Sequence, residues 1–132
     1  MLTSWFSAFV FTQVVEVPIY ACALAREPAP AGAWRRIGLG FLCSALTHPY
    51  VWFVFPQVFY YTETYERLGA RWPALLDHRY AIFFVVAESF AVLVEALLLR
   101  AAGLRRALLW ALLANAASAG LGIVARRLVG WP

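Results

Sequence analysis

The sequence predicts an all-α membrane protein, an up-down bundle of four transmembrane helices. Two observations lead to this prediction. Of the 132 residues, 64% are hydrophobic and 14% are charged, whereas a soluble domain has about 25% charged residues. The apolar residues also form four runs of about 20 residues, the length that a helix needs to cross the hydrocarbon core. We place the spans at 3–25, 37–60, 80–99 and 107–125 of a single integral membrane domain, residues 1–132.

Short connections join the predicted spans, at 26–36, 61–79 and 100–106. Helices joined in this way pack as antiparallel neighbours. All eleven basic residues are arginines, and their position between apolar runs is typical of headgroup anchoring rather than of nucleic-acid binding. The first and third connections hold six arginines against five on the other side. We therefore expect both termini outside, although this bias is small and dual topology stays open.

Two segments need separate interpretation. We expect the first span to be retained rather than cleaved as a signal peptide, since Gln13 and Glu16 interrupt its apolar run and no basic residue precedes it. The second connection is predicted to contain an amphipathic turn at the membrane surface, from the helical spacing of Leu68, Trp72, Leu75, Leu76 and Arg79.

The two halves of the chain resemble each other, which suggests a tandem duplication of a helical hairpin. Each half contains an acidic helix, an arginine pair and a helix with two polar residues at i, i+3: in the first half Glu16, Arg35-Arg36, Ser44 and Thr47, in the second Glu88, Arg105-Arg106, Asn115 and Ser118. Repeats of one orientation are related by an axis along the membrane normal. Chance similarity between two apolar segments is the alternative.

Such an axis would place Glu16 at the same depth as an acid of the third span. We favour Glu88 over Glu95 as that counterpart, because Glu88 lies twelve residues before Arg100 and Glu16 lies ten before Arg26. Glu95 is only five residues from Arg100, so we expect it nearer the interface. Glu88 and Glu95 share one stripe of the helix, and two like charges repel in a dry site.

Four ionisable side chains lie inside the predicted spans, namely Glu16, His48, Glu88 and Glu95. An ionisable residue at the centre of a membrane helix costs at least about 2.5–3.5 kcal/mol. Such residues therefore face the bundle interior or a wet cavity, and they mark an ion path, a ligand site or a buried polar joint. Whether the four side chains meet in space decides between these functions.

The first span carries Gln13, Glu16 and Tyr20 on one helix face. Pro18 lacks a backbone N–H, so it frees the carbonyl of Val14 one turn earlier. Two interpretations are equally open. The group forms a cation or proton site beside a free carbonyl, or a protonated Glu16 bonds to a neighbouring helix.

The second span carries Ser44, Thr47 and His48 on one face, and Pro49 frees the carbonyl of Ala45. An imidazole at a helix kink suits a gate, a metal ligand or a proton relay. The alternative is a histidine that joins two helices through a hydrogen bond. With three glutamates on other spans, we weigh the two equally.

The fourth span has a small polar face formed by Asn115, Ser118 and Gly122. This face predicts close helix packing, and Asn115 could also hold a glutamate in place. Elsewhere the chain has no Walker loop, GxSxG or HExxH motif, and it lacks the repeated Glu-x-x-His pattern of di-metal carboxylate sites. The sequence therefore identifies no cofactor and no nucleophile, and we expect no nucleic-acid partner.

The run Thr47-His48-Pro49-Tyr50-Val51-Trp52-Phe53, with the glutamates around it, resembles a family of small four-span bacterial integral membrane proteins of uncharacterised function. Such proteins have a Thr-His-Pro run in the second span, and Ser44 stands where they carry asparagine. The likeness covers most of the chain. It implies a four-span fold in the bacterial inner membrane, with periplasmic termini on our orientation, and it implies no activity.

Three functions follow as hypotheses. The first is a transporter- or channel-like protein whose Glu/His/Asn cluster binds or relays a proton or small cation, with Glu16 and Glu88 exchanging it, His48 as the switch, and neutral ligands Ser44, Thr47 and Asn115. The second is a non-catalytic subunit or assembly factor, bound to a second copy or another membrane protein. The third is an intramembrane metal-dependent enzyme.

Overall fold

Four long apolar helices form the core of the protein, which confirms the predicted all-α membrane bundle. The computed structural model describes residues 2–28, 32–61, 63–71 and 78–130. Within these ranges the regular secondary structure is helical and contains no strand. Helices suit a bilayer because each one satisfies its own backbone hydrogen bonds in the absence of water.

The helices are numbered in chain order. They are α1 (Leu2–Leu24), α2 (Ala33–Pro49), α3 (Phe55–Tyr61), α4 (Glu63–Arg71), α5 (Arg79–Ala101) and α6 (Ala107–Val129). A π-helical turn, Tyr50–Val54, continues α2 directly into α3. The four membrane-crossing units are therefore α1, the α2–α3 rod, α5 and α6.

The helices that cross the membrane pack as a square. α1 packs against α2 and α6, and α5 packs against the same two helices. The half of the interior nearest the α1–α2 and α5–α6 connections is filled by apolar side chains, chiefly Tyr20, Leu24, Leu99, Leu104 and a set of alanines. Leucines and valines cover the outer faces of the helices, as a lipid environment requires.

A tight turn joins α5 to α6. Gly103 has φ of 96°, a left-handed conformation that favours glycine. Its N–H bonds the carbonyl of Arg100, and the N–H of Leu104 bonds the carbonyl of Leu99, which together form a Schellman motif. Leu99 and Leu104 are both fully buried. The turn thus ends α5 and seals that end of the bundle.

The second spanning unit changes its helical geometry at Pro49. Proline lacks the N–H that would bond the carbonyl of Ala45, and the π-helical turn Tyr50–Val54 begins at the next residue. π-helical turns are rare, and many of those that occur lie at functional sites. Here the turn lies immediately after Thr47 and His48, so it shapes the helix beside the polar residues of the interior.

The predicted surface segment is described in part. α4 ends at Arg71, and Glu66 on this helix forms an ion pair with Arg79 at the start of α5, with an N–O distance of 2.6 Å. This pair joins α4 to the bundle. Leu68 lies in the helix, Arg79 starts α5, and Trp72, Leu75 and Leu76 lie outside the described residues.

α1 and α2 lie close together at Gly40. A Cβ atom added to Gly40 would lie 3.2 Å from the Cβ of Tyr20 and 3.4 Å from the carbonyl oxygen of Val17. This contact lets the two backbones meet, as small residues do in membrane bundles. It also holds Tyr20, whose hydroxyl belongs to the candidate site described below.

We predict that Gly40→Ala lowers the free energy of unfolding by about 1–3 kcal/mol, because the added methyl group overpacks the α1–α2 contact. Reversible unfolding in mixed detergent micelles measures the change. Gly38→Ala is the matched control, since nothing lies within 4 Å of a Cβ added there. Equal stability of the two variants would contradict the close contact.

Candidate functional site

One polar cavity in the bundle collects all four ionisable residues singled out in the sequence. It has a volume of about 150 Å³ and is lined by Glu16, His48, Glu88 and Glu95, together with Ser44, Thr47, Asn115 and Ser118. It continues past Phe11 of α1 and Trp52 of the π-helical turn. The cavity therefore runs from the glutamates toward the bundle end where α1 begins and α6 ends, opposite the apolar half.

Glu95 is almost completely buried, at 1% exposed. Its Oε1 accepts a hydrogen bond from Thr47 Oγ1 (2.7 Å), and its Oε2 accepts one from Asn115 Nδ2 (2.8 Å). The Tyr20 hydroxyl also donates to Oε2. Three helices thus supply donors to one carboxyl of α5. Such bonds offset the cost of removing a carboxyl group from water.

Glu16 is equally buried, at 1% exposed. Its Oε1 accepts a hydrogen bond from Ser118 Oγ on α6 (2.6 Å), and its Oε2 accepts one from the Ser44 hydroxyl on α2. Glu16 and Glu95 line the same cavity. The two carboxyls therefore form a pair, and two negative charges held together in a bundle interior would repel each other strongly.

The hydrogen bonds of the pair follow a pseudo-twofold pattern. On α2, Ser44 bonds Glu16 and Thr47 bonds Glu95; on α6, Asn115 bonds Glu95 and Ser118 bonds Glu16. The pattern is preserved when α1 is exchanged with α5 and α2 with α6. On α2 and on α6 the two donors lie one helical turn apart, and each carboxyl bonds one donor from each of the two levels. The two carboxyls therefore lie at the same depth.

This pattern corrects our expectation for the third span. Glu95, and not Glu88, is the counterpart of Glu16. Glu88 is half-buried, lines the cavity and forms no side-chain hydrogen bond with the described residues. Counting from the arginines misled the sequence comparison, because Arg100 lies inside the last turn of α5 whereas Arg26 follows the end of α1.

Two of the hydroxyl groups that bond the carboxyl pair lie within reach of more than one acceptor, although each has only one hydrogen to donate. Ser118 Oγ lies 2.6 Å from Glu16 Oε1 and 3.1 Å from the main-chain oxygen of Asn115. Thr47 Oγ1 lies 2.7 Å from Glu95 Oε1 and 3.3 Å from the main-chain oxygens of Cys43 and Ser44. A hydroxyl can donate to only one acceptor at a time. Each therefore has an alternative partner on its own helix.

His48 lies in the cavity wall, one residue beyond Thr47, and is 8% exposed. Aromatic rings surround it: its ring centroid is 5.3 Å from that of Phe9, 5.9 Å from that of Trp52 and 6.0 Å from that of Trp5. Its Nδ1 is buried and has no hydrogen-bond partner among the described residues. The imidazole thus adjoins the carboxyl pair without bonding either carboxyl.

Two sequence expectations need adjustment at this site. Gln13 is buried but does not line the cavity, and neither atom of its amide bonds a described residue. Tyr20, which the sequence placed on the same helix face as Glu16, is a direct partner of both Glu95 and Asn115. The shared face was the available signal. It indicated that Tyr20 faces the interior but not that it bonds an acid of another helix.

In the described ranges, no group of three or more His, Cys, Asp or Glu residues is arranged to hold a metal ion. The pair itself comprises two carboxyls whose neighbours are hydroxyl and amide groups. What this arrangement can do chemically is to hold, take up and release a proton.

Comparison of the chain with protein-family models, with curated proteins and with solved structures finds no match. The functional argument therefore rests on the geometry of the site.

We predict that Asn115 is energetically coupled to Glu95 and not to Glu16. In a double-mutant cycle, Asn115→Ala with Glu95→Gln should show an interaction energy of about 0.5–3 kcal/mol in unfolding, because the two side chains share a hydrogen bond. The control cycle combines Asn115→Ala with Glu16→Gln, whose donors are Ser44 and Ser118. A larger coupling in the control cycle would refute this assignment of partners.

Proposed function

We propose that this membrane protein binds and exchanges a proton, or a small cation in its place, at the Glu16–Glu95 pair, and that it works as a carrier-type transporter. The observation that supports this most directly is the alternative acceptor next to each carboxyl. Thr47 and Ser118 each have a main-chain oxygen within reach on their own helix. The pair can therefore hold a proton or release it without leaving a buried hydroxyl unbonded.

The two protonation states use the same atoms. When Glu95 is ionised, the Thr47 hydroxyl donates to it; when Glu95 holds a proton, the carboxyl donates to Thr47 and the hydroxyl hydrogen turns to the carbonyl of Ser44. Ser118 serves Glu16 in the same way, with the carbonyl of Asn115 as the alternative acceptor. A joint with a purely structural role has no need of this freedom.

Access to the pair is from one end of the bundle. The cavity leads from the carboxyls past His48 and Glu88 toward Trp52. Both ionisable side chains border the route, so both are placed to receive a proton from the cavity and deliver it to the pair. On the orientation favoured by the arginines, this opening faces the periplasm of a bacterial inner membrane.

The other end of the bundle is closed. Tyr20 and Leu24 of α1 pack there with Leu99 and Leu104, and all four are buried with 0–1% exposure. A continuous pore does not pass through such packing. Passage to the far side would require this half to open, which is the reason for proposing a carrier with alternating access rather than a channel.

Flux measurements in proteoliposomes test the proposal. With a pH, Na⁺ or K⁺ gradient imposed and an internal pH dye as the readout, we expect pH-dependent flux in the wild type and only the empty-vesicle rate in Glu16→Gln and Glu95→Gln. Glu88→Gln should slow the flux without abolishing it, since Glu88 forms no hydrogen bond with Glu16 or Glu95. Glu66→Gln, a carboxyl in the surface ion pair with Arg79, is the control. Full flux in Glu95→Gln would exclude the function.

The hydroxyl groups permit a more selective test. Thr47→Val keeps the shape of the side chain and leaves Glu95 its bonds from Tyr20 and Asn115, but it removes the group that can both donate and accept. We expect about a tenfold loss of flux, equivalent to one hydrogen bond. Ser118→Ala should act similarly at Glu16. Ser89→Ala, an exposed hydroxyl on α5, is the control and should retain the wild-type rate.

A further inference from the structure

An apolar groove lies on the lipid-facing side of the α5–α6 hairpin, away from the central cavity. Its walls are formed by Leu93, Ala96 and Leu97 of α5 and by Leu108 and Leu109 of α6, and its volume is about 690 Å³. The four leucines are 46–71% exposed. The volume of the groove is within the range of small-molecule sites. Its leucine and alanine side chains are suited to contact with hydrocarbon chains.

Three arginines, Arg100, Arg105 and Arg106, line one end of this groove. Arg105 faces Glu27, with an Nε–Oε2 distance of 3.7 Å. Arg100 is held over the connection by a hydrogen bond from its guanidinium to the main-chain oxygen of Arg105 (3.1 Å). In the part of the chain that the structure describes, neither Arg100 nor Arg106 has a carboxylate partner. Two positive charges at the groove end are thus uncompensated.

The start of α6 adds to this positive potential. Arg106 occupies the N-cap position without a side-chain capping bond, and the first turn of α6 contains no acidic residue. The partial positive charge of a helix N-terminus is therefore not balanced by its own side chains. An anion at this end of the groove would meet the helix terminus and two guanidinium groups together.

From the apolar groove and the arginines that cap it, we propose that the α5–α6 hairpin binds an anionic glycerophospholipid. The acyl chains lie along the leucine walls, and the phosphate lies between Arg100 and Arg106. Charge complementarity favours this occupant over a protein. A protein partner would need an acidic group at one end and an apolar surface along the rest of the groove, which is the arrangement that an anionic lipid has. Basic sites at the ends of membrane helices recognise anionic headgroups in this way.

Native mass spectrometry tests the proposal on the whole protein, released from micelles that contain equimolar phosphatidylcholine and phosphatidylglycerol. We expect the wild type to retain phosphatidylglycerol preferentially, and Arg106→Gln to weaken this retention about fivefold, the effect of one arginine near an anionic headgroup. Arg35→Gln is the matched control. Arg35 lies nine residues before Ser44, as Arg106 lies nine before Asn115, and it does not line the groove.

Three results would overturn the proposal. They are the absence of any preference in the wild type, an equal loss in Arg35→Gln, which would indicate general surface charge, and displacement of the lipid by inorganic phosphate alone, which would indicate an anion site without acyl recognition. Leu97→Trp provides a test that leaves the charges intact. Its indole would fill the groove from an exposed position, and retained phosphatidylglycerol should fall in this variant too.

Discussion

The structure depends on keeping two carboxyl groups inside an apolar bundle. Glu16 and Glu95 are each 1% exposed, and an unsatisfied polar group at membrane depth costs several kilocalories per mole. Three helices of the square supply hydrogen bonds that meet this cost, since α2 and α6 each supply one donor to each carboxyl and α1 supplies Tyr20 to Glu95. The polar residues therefore determine which faces of the helices meet, and the alanines and Gly40 let the backbones approach.

The hydrogen bonds around the two carboxyls are symmetric, but the two ends of the bundle differ. On one side of the pair, the apolar cluster around Leu24, Leu99 and Leu104 closes the bundle. On the other side, the π-helical turn after Pro49 adjoins a polar cavity that holds His48 and Glu88. The hydrogen bonds of the pair thus follow the predicted similarity of the two hairpins, and the cavity lies where the two hairpins differ. Our proposal of proton exchange rests on this combination of a hydrogen-bonded carboxyl pair and a polar cavity on one side of it.

Much of this arrangement could be predicted from the sequence, because a bilayer allows few alternatives. Apolar runs of span length give the helices, and ionisable residues within them give the interior. Which residue of one half corresponds to which residue of the other was harder to predict. The comparison of the halves favours Glu88 because it uses the arginines as depth markers, whereas the Schellman turn at Gly103 leaves Arg100 within α5. Tyr20 was missed as a partner because its bond to Glu95 joins opposite corners of the square, which no single-helix pattern encodes.

The most direct test of the paired carboxyls is infrared difference spectroscopy of the protonated carboxyl band as pH is varied in lipid vesicles. If Glu16 and Glu95 share their protons, Glu16→Gln should remove one component of the band and shift the pH dependence of the component that remains, and Glu95→Gln should do the reciprocal. Each shift reports the charge repulsion lost when one member becomes neutral. Two components that titrate independently, each unaffected by loss of the other residue, would contradict the existence of a functional pair.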